Sequence, residues 1–205
     1  MTSLDHPSDP LSTELVRVQR QLEAIYELEP TPAIAPFVRV GASDTREQLL
    51  VHERADGMEV LVLLPRASAE AFLSGDSTVE LDGYLEAVEG ISHFIHLAER
   101  ARTELPTTLL ELELQAEVDK FALLAAEPEN QNTPGLVSLH RRLYEDVRFL
   151  HASASELGQR YRLANDLAAR LWSQLIRQEP AAHREVLRRF YRASQAEKMH
   201  IVRAA

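Results

Sequence analysis

Two consecutive helix-patterned segments, residues 78–102 and 106–126, most constrain what this chain can fold into. Along the first, Asp82, Glu86, Glu89, His93, His96 and Arg100 recur at steps of four and three, while Tyr84, Leu85, Val88, Ile91, Phe94, Ile95 and Leu97 fill most of the remaining circumference. At about 100° per residue the polar six fall within an arc of roughly 80°. A helix apolar on so many sides is enclosed by other elements. Its polar seam is then either a solvent edge or the wall of an internal polar site, and the narrow arc suits a solvent edge with self-paired charges.

The second segment carries Leu110, Leu114, Phe121 and Leu124 as a core-facing stripe, with Glu117 in its middle and Glu113 at its border. An unpaired buried carboxylate protonates or finds a cation. Three partners are available to Glu117: Lys120 three residues on, an arginine from elsewhere, or a metal shared with His93 or His96. The charge layout favours the arginine. Residues 1–135 hold 9 basic and 25 acidic side chains, residues 136–205 hold 13 and 7, and the two parts are expected to dock on each other.

Glu86, Glu89, His93, His96, Glu113 and Glu117 form the candidate polar or metal site. Carboxylates and imidazoles on neighbouring helices build di-metal centres, but the motif there is Glu-x-x-His at a spacing of three. Here the residue three after Glu89 is Ser92, so no metal, cofactor or catalytic residue is assigned. The absence of cysteine removes disulfides, thiolate nucleophiles and iron–sulfur clusters. There is no GxGxxG, GKS/GKT or Gly-x-Ser-x-Gly motif. Arg188, Arg189 and Arg192 surround Phe190 and Tyr191 as a candidate basic patch, a pattern that grips phosphates but more often anchors a core with arginines around it. The net charge of −10 speaks against a dedicated nucleic-acid binder.

The flanking segments complete the reading. Residues 1–11 form a loose tail. A helix capped by Ser12 or Thr13 runs to about Leu28, with Leu15, Val18, Leu22, Ile25 and Tyr26 on one face. Residues 37–40 make a short strand, and 48–53 with 58–64 flank Asp56-Gly57, a favoured hairpin turn. The second arm, MEVLVLL, is apolar enough to be covered on both faces. A lone hairpin is marginal, so it needs residues 37–40 as a third strand, helices over it, or a partner chain. A short helix spans 67–73. Residues 127–135 read as a linker and 136–150 as a helix. Another runs over 154–177, capped by Ser153 with Glu156, and a last one starts at Pro180 and reaches 193 or beyond.

These features predict an α+β, mainly α protein. A small helix-plus-hairpin subdomain (12–75) precedes a helical bundle (78–205) whose acidic and basic parts meet at loop 127–135. No secretory signal is present and no apolar run approaches the ~20 residues of a membrane span, so a cytoplasmic protein is expected. The expected role is a non-enzymatic interaction, scaffold or regulatory protein that binds a protein partner or itself through the hairpin edge or a helix face. Two rivals remain: a metal-binding bundle using the Glu/His seam, and a nucleic-acid-associated regulator using the arginine-rich C-terminal helices.

Overall fold

Asp9 starts the first helix, α1 (Pro10–Tyr26), because its carboxylate accepts the Ser12 N–H at 3.3 Å while Pro10 takes a first-turn position that needs no donor. The cap therefore lies ahead of the expected Ser12 or Thr13. The helix ends where Glu27 turns left-handed (φ 49°) and returns its N–H to the carbonyls of Ala24 and Glu23. The computed structural model describes residues 9–41, 46–54, 57–74 and 81–204. The tail before residue 9, the hairpin turn at 55–56 and the break at 75–77 lie outside them.

Strands β1 (Val38–Gly41), β2 (Gln48–Arg54) and β3 (Gly57–Pro65) form one sheet in the order β1-β3-β2. β1 runs parallel to β3 with Val38 opposite Val62, and β2 runs antiparallel with Leu49 opposite Val62. The third strand thus comes from the chain itself. Central placement explains the apolar run of β3 only in part. Val62 and Leu64 are buried, whereas Leu61 and Leu63 on the other face are only half-buried.

Helix α2 (Arg66–Ser74) leads to α3 (Leu81–Arg102), which packs against α2, α1, the sheet and α4 (Leu109–Ala125). A Cβ on Gly83 would lie 2.7 Å from the Ala71 Cβ, so glycine there sets how closely α2 and α3 approach. Helix α4 begins with a capping box. Glu111 N–H donates to Thr108 Oγ1 at 3.1 Å, and Thr108 N–H donates back to Glu111 Oε2 at 3.0 Å.

The C-terminal third departs from the sequence reading in its boundaries. The expected linker holds a 3-10 turn (Pro128–Asn130) and the start of α5 (Thr133–His140), capped by Asn132. That helix stops well before residue 150. It widens into a π turn at Arg141–Glu145, and the chain is non-helical from there to Ser155. Ser155, not Ser153, caps α6 (Glu156–Leu175), accepting the Gly158 N–H at 3.0 Å. Helix α7 (Pro180–Arg192) breaks at Ala193, whose extended backbone separates it from α8 (Gln195–Ala204). One apolar cluster runs through the whole fold. Phe121 of α4 stacks on Trp172 of α6 at 4.1 Å, and Tyr26 of α1 meets Tyr191 of α7 at 4.4 Å. The fold is α+β and mainly α, and among the described residues no helix is long and apolar enough to cross a membrane.

Candidate functional site

The polar seam of α3 is not a solvent edge. Glu86, Glu89, His93, His96 and Arg100 are all buried, and only Asp82 at the start of the helix is exposed. The wheel locates the seam but not what covers it: α4 and the segment leading into β2 close over the upper half, α4, α7 and α8 over the lower. These two halves do different things.

In the upper half, His93 sits among carboxylates. Its Nδ1 faces Glu47 Oε2 at 3.7 Å and its Nε2 faces Glu113 Oε2 at 3.8 Å. Glu89 lies within 4.8 Å of the same Glu47–His93 pair. Burial alone would push the imidazole down, yet Glu47, Glu89 and Glu113 outweigh it and hold its pKa up at about 9. Burial lifts Glu113 to about 7 against the pull of His93, and it lifts Glu47 as well. Glu89 is held low despite its burial because Lys120, His93 and Arg46 favour its anion.

The cations that balance this cluster are specific. Lys120 Nζ donates to Glu117 Oε1 at 2.7 Å and to Glu89 Oε2 at 3.4 Å, and these two carboxylates raise its pKa against desolvation. Glu117 therefore pairs with the lysine three residues on, not with the expected arginine. The arginine arrives one turn earlier: Arg160 of α6 places Nε 3.6 Å from Glu113 Oε1. Glu86 stands one layer back. It accepts the Glu47 N–H at 2.7 Å and the Ser68 hydroxyl, with Arg46 Nε at 3.5 Å, and so ties the strand approach to α3.

Glu47 is the member that sequence reasoning missed. The signal was available in the alternation of β2, since Glu47 extends by one step the face on which Leu49 is half-buried. Gly90 makes the approach possible, because a Cβ there would lie 3.0 Å from Glu47 Oε1 and 2.9 Å from Val62 Cγ1.

In the lower half, His96 leaves the cluster. It is fully buried, 3.4 Å from Arg100 Nε and edge-on to Tyr191, and burial together with Lys198 and Arg100 depresses its pKa well below the usual range. Beside it Asp119 accepts hydrogen bonds from Tyr26, from Ser92 Oγ at 2.6 Å and from Gln115 at 2.7 Å, and Gln115 Oε1 accepts from Lys198 at 3.0 Å. This is a polar core that joins α1, α3, α4 and α8.

A cleft of about 120 Å³ opens beside the upper cluster, between α3, α4, α6 and the non-helical segment before α6. Glu89, Glu117 and Lys120 line it together with the apolar Leu85, Leu143 and Leu150 and with Arg148, Tyr161 and Arg162. Arg162 is fixed over the Phe149 ring at 4.6 Å and donates to the carbonyls of Gly158 (2.8 Å) and His151 (3.1 Å). Among the described residues neither Arg162 nor Arg148 has an ion-pair partner.

The candidate basic patch has another task. Arg188 pairs with the Glu27 carboxylate at 2.7 Å and Arg192 donates to the Glu27 carbonyl at 2.9 Å, so both hold the C-terminal end of α1, where cations are favoured. Arg189 remains exposed. No family model, no curated protein and no solved structure matches this chain.

Proposed function

We propose that this chain is a non-enzymatic regulatory protein that holds a small organic anion, bearing a carboxylate or phosphate, in the cleft between α3, α4 and α6. The observation that carries this reading is Arg162. Its guanidinium is pre-oriented by two backbone carbonyls and an aromatic ring, meets no carboxylate among the described residues, and lines the cleft together with Arg148, which likewise has no ion pair among them. Each terminal nitrogen of a guanidinium carries two N–H groups, so Arg162 keeps donors to spare for a planar anion. The leucines lining the cleft suit the ligand's carbon skeleton. Lys120 is held as an ammonium between Glu89 and Glu117, which makes it a fixed charge and not a nucleophile, and this favours binding over chemistry.

Titration calorimetry with succinate and with inorganic phosphate tests the reading. Arg148→Gln, which removes no hydrogen bond or ion pair among the described residues, is expected to weaken binding by about tenfold or more, the loss of one charge-assisted hydrogen bond. Equal affinity of the variant and the parent protein, or no binding of either probe, rejects it.

A second reading is self-association, supported by the outer edge of β2. This edge is unpaired among the described residues, and Leu50 and Val51 on its two faces are 46 % and 42 % exposed. Such an edge templates pairing with a second copy, and a lysine on it blocks pairing. Sedimentation is expected to show a dimer that Val51→Lys converts to a monomer. A parent protein that stays monomeric at high micromolar concentration removes this reading.

A further inference from the structure

We infer that Glu47, Glu89 and His93 form a binding site for one divalent transition-metal ion. The three side chains come from the approach to β2 and from two adjacent turns of α3, and one donor atom from each lies within 4.8 Å of the other two. The side chains of His93 and Glu47 are 8 % and 5 % exposed. Glu47 Oε1 is nevertheless buried with no hydrogen-bond partner among the described residues, an acceptor that two-oxygen ligation by this carboxylate would satisfy, whereas the likewise unpartnered His93 Nε2 faces Glu113. Buried polar atoms are rarely left that way, and each such atom calls for an explanation.

The spacing is that of an ion pair and also fits two donors that share an ion. A separation of 3.7 Å between His93 Nδ1 and Glu47 Oε2 is too long for a hydrogen bond. Two donors that share an ion with bonds of about 2.1 Å lie 3.7 Å apart when the angle at the metal is about 125°. Donors as far apart as 4.8 Å must close by about 1 Å to reach the same spacing, a shift that rotation of a carboxylate supplies.

The surroundings carry the outer layer of such a site. Glu113 stands behind the imidazole at Nε2 and is itself faced by Arg160, the carboxylate–histidine arrangement that orients a ligating ring. Lys120 holds the Glu89 carboxylate, Glu86 holds the Glu47 backbone, and Gly90 leaves the space that the Glu47 carboxylate occupies. Formal charge agrees. The cluster sets five carboxylates, Glu47, Glu86, Glu89, Glu113 and Glu117, against the permanent cations Arg46, Lys120 and Arg160. The proton held on His93 supplies one further positive charge in the ion-free cluster, and a divalent ion that displaces this proton brings the sum to zero. One imidazole and two carboxylates suit Zn²⁺, Mn²⁺ or Fe²⁺ over softer or purely oxygen-seeking ions, and Glu89, shared with the cleft, gives the ion its route in.

The full chain, treated with chelator and dialysed against Zn²⁺ or Mn²⁺ with no organic anion present, tests the site by elemental analysis and titration calorimetry. One ion per chain is expected, with affinity lowered at least about tenfold in Glu47→Gln and in His93→Gln. Glu47→Gln preserves shape, and its circular dichroism is expected to match the parent protein, so a folding failure of the histidine variant leaves the glutamine variant to decide. Co²⁺ loading adds a second readout, visible bands that shift in Glu47→Gln. Absence of stoichiometric metal, or equal affinity in a folded Glu47→Gln, overturns the inference. Arg148→Gln is expected to keep full metal stoichiometry, so the outcome is independent of the anion proposed for the cleft.

Discussion

Replacing Arg100 by methionine is expected to cost about 3–5 kcal/mol of folding stability, the range for breaking one partner out of a buried ion pair. Arg100 is 5 % exposed and serves three groups: Nη2 donates to Glu111 Oε1 at 3.1 Å and to the Ala193 carbonyl at 2.6 Å, and Nε approaches His96 Nε2 at 3.4 Å. Methionine fills much of the volume but leaves the Glu111 carboxylate buried without its cation. Glu111 also closes the capping box of α4, and Ala193 is the corner between α7 and α8, so the damage reaches two helix boundaries at once. The exposed pair Arg17–Glu14 offers the contrast, because surface pairs contribute about 0–1 kcal/mol even at good distance. Urea denaturation of both variants, Arg100→Met and Arg17→Met, measures the difference. A loss below about 1 kcal/mol at Arg100 would mean that water replaces the guanidinium and that the site is wetter than its burial implies.

How much of this was legible beforehand depends on what kind of information each element needed. Helices α1, α3 and α4 and the three strands follow from local period and turn chemistry, and those are written in single segments of chain. The environment of the α3 seam was not, because a helical wheel gives an angle and not the neighbour at that angle. The seam points inward here since α4 lies on it and Gly90 lets the β2 approach lie on it too. Glu117 is a finer case. Its need for a cation followed from its position among leucines, but an adjacent lysine on the same helix reached it before any arginine did, and Arg160 met Glu113 instead. The boundaries of the C-terminal third were misjudged for a different reason. Residues 141–150 keep a helical composition, yet tertiary packing puts Tyr144 under α4, its hydroxyl donating to the Glu117 carbonyl at 2.8 Å, and the π turn accommodates that anchor.

Lys198 is the residue whose replacement should stabilise the protein. It is completely buried, 3.0 Å from Gln115 Oε1 and 5.1 Å from the centre of the Phe190 ring, with no ion pair among the described residues. Burial pushes its pKa down to about 7, Arg100 pushes the same way, and Glu111 and Asp119 oppose them. In the unfolded chain the amine stays charged to about pH 10.4. Between these limits the unfolded chain holds more protons, so stability rises with pH from about 7 upward, and the cost of burying the lysine is largest and constant below that. From pH 7 to pH 9 this amounts to about 2 kcal/mol. Lys198→Met removes the dependence and leaves Gln115 Oε1 without its donor, a penalty of about 1–3 kcal/mol that does not change with pH. The decisive quantity is therefore the slope. Urea denaturation at pH 7 and pH 9 should show the parent protein gaining on the variant by about 2 kcal/mol. The other groups that titrate near this window, Glu113 and His93, are common to both proteins and drop out of the difference, and Asp119, which burial raises to about 6, is already ionised. Parallel pH profiles would mean that Lys198 stays protonated inside the fold. Its charge would then rest on the Asp119–Gln115 network, which would hold an ammonium as a working part of the polar core.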